Sequence, residues 1–178
     1  LFTKVAQVVA DVFGLGLDRI KISETATDKV PNTSATAASA GADLNAMAAK
    51  DAAETIRARL INFAAERYQI DAEEINFADG LVEIGAEAVP FAKLVAMAYF
   101  ARVQLSSTGF YKTPEIHWDR EAGRGMPFYY YAYGAAVSEV SVDLLTGEYQ
   151  VERTDILHDA GQSLNPAVDL GQVEGGFI

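Results

Sequence analysis

The stretch VPNTSATAASAG, residues 30–41, decides the fold together with the amphipathic run that follows it. Pro31 and Asn32 favour a turn, and the eight residues after them are all Ser, Thr or Ala. Short side chains leave backbone N–H groups uncovered, and the first N–H groups of the following helix have no partner within that helix. Together with the positive end of the helix dipole, these groups suit an anion or an oxo group. The same stretch also fits an ordinary Ser/Thr-rich loop that caps a tightly packed helix.

The run from residue 42 to residue 63 predicts one long helix, which begins within a few residues of Ser39 and ends near Phe63. Its charged residues fall mostly on one side, and Glu54 and Arg57 have the i,i+3 spacing that favours a helix. Continued to residue 65, the helix would be about 36 Å long. Its apolar residues recur at steps of three and four and predict one buried face, formed by Leu44, Met47, Ala48, Ala52, Ile56, Leu60 and Phe63.

Length and composition exclude several classes of function. The 178 residues suit one large domain or two small ones, and half of them are apolar, which is enough for a sizeable core. With 14 basic and 25 acidic residues the net charge is −11, which argues against nucleic acid and against an anionic membrane surface as partners. The chain has no cysteine, so it cannot itself form disulfides or bind an iron–sulfur cluster through thiolates. No apolar run reaches the roughly 18 residues of a membrane span.

The remaining patterns predict an α+β fold with long helices packed on small mixed or antiparallel sheets. Three more helices are predicted: residues 2–13 with Gly14 after them, residues 90–101, and a last helix from Asn165-Pro166 onward. The Asp79-Gly80 turn predicts a hairpin of residues 75–77 and 81–84. Other predicted strands cover residues 20–23, 103–106, 128–143 and 149–157, whereas residues 107–118 are predicted to be irregular and 120–126 a loop.

Two clusters of polar residues outside these elements contain the residue types of a cation site and of a catalytic triad. The spacing of the residues favours neither. Asp71, Glu73 and Glu74 could bind a cation, but they are more typical of a solvated loop. The loop that holds His158, Asp159 and Ser163 contains a base, an acid and a hydroxyl. Neighbouring residues in a loop point apart, however, so this order does not predict a catalytic triad.

Four blocks of sequence, in this order along the chain, resemble the molybdopterin-binding subunit of the xanthine dehydrogenase and aldehyde oxidase family. They are residues 30–39, 108–114, 133–140 and 163–175, and the likeness is greatest to the bacterial form of xanthine dehydrogenase. The resemblance implies a fragment, residues 1–178, of the molybdopterin-binding domain of a molybdenum hydroxylase, truncated at both ends. The family is cytoplasmic, so the same location is expected for this protein.

The resemblance also implies a reaction and a set of cofactors. In this family, molybdenum held by molybdopterin hydroxylates hypoxanthine or xanthine to urate with water as the oxygen source. Electrons then pass through [2Fe-2S] clusters and FAD to NAD, and these groups belong to a partner subunit or domain and not to this chain. The expected partners are therefore a purine substrate, the rest of the molybdenum subunit and an iron–sulfur/FAD subunit, with neither nucleic acid nor membrane.

By resemblance, five residues are expected to contact the cofactor. Ala38 would present its backbone N–H beside the metal, Ser39, Ala40 and Gly41 would hold the pterin, and Gln172 would face it. No metal ligand and no catalytic base is expected in the chain, because the family's Gly-Gln-Gly and Gly-Glu-Pro-Pro segments would lie before Leu1 and beyond Ile178. The isolated chain is accordingly expected to be inactive.

Two alternatives remain open at the level of sequence. An aldehyde oxidase shares most of these blocks, although FYKTP, residues 110–114, favours the xanthine enzymes. A non-catalytic interaction domain could keep the same fold. Val137 and Phe2 stand where the family commonly has cysteine and histidine, and both are expected to be packing changes.

Overall fold

The computed structural model describes residues 1–29, 36 and 39–178, which divide into two compact units, Leu1–Thr113 and Pro114–Ile178. Helices and small antiparallel sheets are mixed in the chain, so the predicted α+β class is confirmed. Among the described residues, the helices are α1 (Phe2–Val12), α2 (Gly41–Tyr68), α3 (Phe91–Phe100) and α4 (Pro166–Phe177). The strands are β1 (Ile75–Ala78), β2 (Leu81–Ile84), β3 (Glu87–Pro90), β4 (His117–Asp119), β5 (Arg124–Met126), β6 (Gly134–Val142) and β7 (Tyr149–His158).

In the first unit, α1 ends where the sequence predicted and joins the sheet through a glycine. Gly14 has φ +58°, and a Cβ placed there would lie 2.4 Å from the carbonyl oxygen of Phe77. Its own carbonyl accepts the N–H of Gly80 at 2.8 Å. The helix end therefore contacts the β1–β2 hairpin through backbone atoms, and only glycine fits there without strain.

Helix α2 runs from Gly41 to Tyr68, slightly longer than predicted, but its predicted buried face is wrong in the first half. Leu44 and Met47 are 39% and 40% exposed, whereas Ala46 and Ala53 are buried. The prediction placed the large apolar residues on the buried face. In the structure, this half of the helix is instead buried at small residues, where the neighbouring backbone comes close. Leu60 and Ala64 bury the second half of the helix.

Strands β1, β2 and β3 form one antiparallel sheet in that order. The predicted hairpin is confirmed, with Phe77 opposite Val82. The sequence analysis missed β3, which pairs Val89 with Val82. The core of the first unit lies between this sheet and the helices, and its fully buried side chains are Leu60, Val82 and Leu94.

Glu54 and Arg57, whose spacing favours a helix, both lie in α2. Glu54 forms a surface ion pair with Lys50 at 3.6 Å. The Arg57 guanidinium lies 5.0 Å from the ring centroid of Phe77. This geometry is a cation–π contact, which lets the arginine cover the aromatic core.

The second unit consists of two hairpins and α4. The predicted pairing of β6 with β7 is confirmed and contains a bulge between Glu139 and Val140, but residues 128–133 precede β6 and are not a strand. The predictions of an irregular 107–118 and a loop at 120–126 missed the β4–β5 hairpin. The strands predicted at 20–23 and 103–106 are also wrong, since neither segment pairs with a strand.

Within the described part of the chain, no helix combines the length and the hydropathy that a membrane span requires.

Candidate functional site

The candidate site begins at the N-terminus of α2. Ala40 is the N-cap residue, and its methyl side chain cannot accept a hydrogen bond from the helix. The first bond inside the helix joins the N–H of Leu44 to the carbonyl of Ala40 at 3.2 Å. The N–H groups of the first turn therefore point out of this end of a helix of 28 residues, toward any group placed there.

The residues at the N-terminus of α2 are small, and little space is left around Gly41. Gly41 is half-buried, and a Cβ there would lie 3.4 Å from Cγ2 of Thr36 and 3.8 Å from Cδ2 of Leu1. Ser39 is exposed and Ala40 is half-buried. Asn45, one turn into the helix, uses its side-chain amide to donate to the Gly41 carbonyl at 2.8 Å. A ligand at this entrance would meet main-chain atoms and short side chains.

The other two predicted contacts, Ala38 and Gln172, stay predictions. Ala38 is outside the described residues. Gln172 is an exposed residue of α4 and belongs to the second unit, whereas Ser39, Ala40 and Gly41 belong to the first. The structure thus groups three of the five predicted residues at one helix entrance.

Helix α4 has the capping that α2 lacks. The side chain of Asn165 accepts the N–H of Val168 at 3.2 Å, and Pro166 occupies the first helical position, as the sequence predicted. Ser163 donates its hydroxyl proton to Asp169 at 2.5 Å. The start of α4 is thus closed by its own side chains, and Gln172 lies beyond it on the helix.

The catalytic triad interpretation of the loop before α4 receives no support. Ser163 donates to Asp169 and not to a histidine, and Asp159 accepts the N–H of Gly161 at 2.8 Å. Within the described residues, no three side chains of His, Asp or Glu lie close enough together to hold a metal ion. This chain therefore offers neutral N–H donors at the candidate site, which is the chemistry that suits the oxo and phosphate oxygens of a cofactor.

The sequence analysis assigned no role to Asp51 and Arg59 of α2 beyond a charged face. In the structure, both side chains hold main-chain groups of a segment 45 to 59 residues away in sequence. Such contacts leave no local signal, because neither the helix period nor the strand period reports them.

A sequence model of the Molybdopterin cofactor-binding domain matches residues 1–178. The chain belongs to this family. Xanthine dehydrogenase of Oryza sativa subsp. japonica is 46% identical over the whole chain, and xanthine dehydrogenase/oxidase of Rattus norvegicus is 44% identical. The chain spans 12% of the length of each of these relatives.

Solved structures give the same fold. Quinoline 2-oxidoreductase from Pseudomonas putida 86 matches 98% of the chain with a TM-score of 0.74 and 26% identity, over 22% of its own length. The Cu,Mo-CO dehydrogenase matches 98% with a TM-score of 0.76 over 21% of its own length. Its identity of 23% supports the fold alone.

Proposed function

We propose that this chain is a piece of a xanthine dehydrogenase-type molybdenum hydroxylase, which oxidises hypoxanthine or xanthine to urate with water as the oxygen source. The observation that carries the proposal is the N-terminus of α2, where Ala40 provides no side-chain cap, in a chain that matches a molybdopterin-binding family from end to end. Identities of 41–46% to xanthine dehydrogenases support the purine substrate.

In this proposal, the chain binds and orients the cofactor. The hydroxyl of Ser39 and the backbone N–H groups of Ala40 and Gly41 would donate to the pterin, and Ala38 would present its N–H beside the metal. The amide of Gln172 adds a further hydrogen bond. When bound, the molybdenum–molybdopterin supplies the redox and oxygen-transfer chemistry, and the protein supplies position and hydrogen bonds.

The proposal places the remaining parts of the enzyme outside these 178 residues. The [2Fe-2S] clusters and FAD that carry electrons to NAD belong to a partner subunit or domain, because cysteine ligands are absent from this sequence. The catalytic base also comes from another segment. The isolated chain is therefore expected not to oxidise xanthine even when cofactor is supplied.

The test introduces a large side chain at the proposed site. In the full-length protein, Ala38→Phe should abolish molybdenum binding and urate formation, because the cofactor must approach the main chain closely. Ala58→Phe is the matched control, since Ala58 is an exposed residue of α2. Full molybdenum content and turnover in Ala38→Phe would refute the site.

Two variants with smaller expected effects test the same site. Ser39→Ala and Gln172→Ala should each lower cofactor retention by roughly 2- to 10-fold, the effect of losing one neutral hydrogen bond. Purine and aldehyde turnover in the parent protein distinguishes xanthine dehydrogenase from aldehyde oxidase. A purified parent protein without molybdenum would instead favour a non-catalytic interaction domain.

A further inference from the structure

Residues 103–113, here called the strap, lie extended along α2 without joining a sheet. Exposure along the strap alternates without interruption, which is the period of an extended chain with one face covered. Val103 and Leu105 pack against the core of the first unit, and the N–H of Val103 donates to the carbonyl of Ala98 at 2.9 Å. The half-buried residues are Val103, Leu105, Ser107, Gly109, Tyr111 and Thr113.

Two charged side chains of α2 hold the strap by its main chain. Arg59 donates from Nη1 to the carbonyls of Gln104, at 3.3 Å, and Ser106, at 2.9 Å. Oδ2 of Asp51 accepts the N–H of Phe110 at 3.0 Å. Asp51 and Arg59 are eight positions apart, about 12 Å along the helix. The strap therefore runs antiparallel to α2 and ends near the N-terminal half of the helix.

Gly109 is the point of closest approach. A Cβ on Gly109 would lie 1.9 Å from the carbonyl oxygen of Ala48 and 2.7 Å from the nitrogen of Ala52. Both atoms belong to helix backbone, which cannot move aside as a flexible side chain can. The glycine and the Asp51 bond to Phe110 thus fix adjacent residues of the strap against the same turn of α2.

This contact matters because, among the described residues, the N-terminal half of α2 buries only small side chains completely. Its buried residues are Ala46 and Ala53, while Leu44 and Met47 remain well exposed. Burying a methyl group stabilises far less than burying a leucine side chain. Helix α1 also packs against α2, but its buried residues are again alanines. The strap therefore adds a second fixed contact, beside that of α1, to this half of the helix.

We propose that Asp51 and Gly109 are positioning residues that hold the N-terminal half of α2, and with it the Ser39–Gly41 entrance, in the orientation that binds the cofactor. Ala48 is seven positions from Gly41, so the strap contact lies about 10 Å along the helix from the entrance. The inference rests on the proposed function, because it assigns the entrance to molybdopterin.

The test compares Asp51→Ala with Asp51→Asn in the full-length protein. Alanine removes the acceptor, whereas the asparagine oxygen can still accept the N–H of Phe110. Asp51→Ala should raise amide hydrogen exchange over residues 41–50 by about tenfold, the effect of one charge-assisted hydrogen bond, and should lower the molybdenum retained after prolonged dialysis. Exchange over residues 60–68 and the melting temperature should change little. Asp51→Asn should restore both readouts.

Two further variants complete the experiment. Gly109→Ala should reproduce Asp51→Ala, because its methyl group meets the backbone of Ala48. Lys50→Ala is the control on the same turn, since it removes only the surface pair with Glu54. Faster exchange with unchanged molybdenum retention would mean that the strap is structural only and would overturn the proposal. Unchanged exchange in Asp51→Ala would overturn it as well. If the wild-type protein carries no molybdenum, the proposed function fails, and the exchange data still test the strap.

Discussion

The two units differ in how the sequence stabilises them. The first unit buries a core in which Leu60, Val82 and Leu94 are almost inaccessible to solvent. In the second unit, every described residue is exposed or half-buried. Both units contain many large apolar residues, so composition does not explain the difference. The difference teaches that apolar residues stabilise a fold through what covers them, and that backbone and side-chain hydrogen bonds shape the second unit.

The β6–β7 hairpin shows this most clearly. Side chains bond across the strands, with Ser138 and Thr154 joined at 3.0 Å and the hydroxyl of Ser141 donating to Glu152 at 2.7 Å. Large apolar side chains of both strands, such as Val137 and Leu157, are exposed. A two-stranded hairpin is marginally stable on its own in water. We therefore expect the second unit to depend on local hydrogen bonds, and the first on its core.

Leu94→Ala should give the largest effect. The side chain is 0% exposed in the core of the first unit, so its removal should lower the free energy of unfolding by about 2–5 kcal/mol. Leu157→Ala is the matched control, because Leu157 is 78% exposed on β7 and should change the same free energy by less than about 0.5 kcal/mol. Urea denaturation followed by circular dichroism measures both, and similar losses in the two variants would contradict the comparison.

Helix capping provides the second test, since the two units start their helices differently. Asn165→Ala should weaken α4 by about 0.5–2 kcal/mol, because Val168 loses its acceptor. Ala40→Asn should act oppositely on α2 by supplying an acceptor to N–H groups of its first turn. Hydrogen exchange over the first turn of each helix measures these changes.

The same pair of variants separates folding from cofactor binding. If the α2 entrance serves the cofactor, Ala40→Asn should slow exchange in α2 and yet reduce molybdenum content, because the new side chain competes for the same N–H groups. A variant that gains both helix protection and cofactor would show that Ala40 does not face the ligand.

Local signals predicted most of the fold. The Asp79-Gly80 turn defined the β1–β2 hairpin because both residues take positive φ, +50° and +76°. The helical periodicity of α2 and the Asn165-Pro166 N-terminus of α4 were equally clear in the sequence. Strands β1 and β2 are as short as β3, but the Asp79-Gly80 turn marked them, whereas β3, β4 and β5 have no such turn signal and were missed. Tyrosines suggested a strand over residues 128–133, but strand propensity depends on context, and the pairing with β7 begins at Gly134.

The candidate site was predictable only in part. Small residues predicted a helix that begins close to Ser39, and α2 begins at Gly41, whereas the contacts of Ser39, Ala40 and Gly41 with a cofactor stay a prediction. The strap was not predictable, because the bond from Phe110 to Asp51 joins residues 59 positions apart. The sequence gives no reason for a glycine at position 109. The structure gives one, because the backbone of Ala48 lies against Gly109.

The smallest expected effect concerns the β6–β7 turn, which side-chain hydrogen bonds hold in the second unit. The backbone N–H groups of Leu145 and Thr146 donate to Asp143 at 2.7 and 3.2 Å, and they lower the pKa of this carboxyl group. A folded pKa below the unfolded one means that the ionised group stabilises the turn above the unfolded pKa of about 3.9. That stabilisation is lost as the pH falls through the folded value.

Nuclear magnetic resonance of the Leu145 and Thr146 amides measures this response. Their shifts and exchange rates should stay constant from about pH 7 to pH 5 and change below about pH 4, since only there does Asp143 take up a proton. Asp143→Asn keeps an acceptor oxygen that does not titrate, so the turn should persist while its response to pH disappears. Asp143→Ala should loosen the turn at every pH, because neither N–H then has its acceptor. An acid response that survives in Asp143→Asn would assign the effect to another group, and the turn would then owe its shape to Gly147, at φ +77°, rather than to the carboxylate.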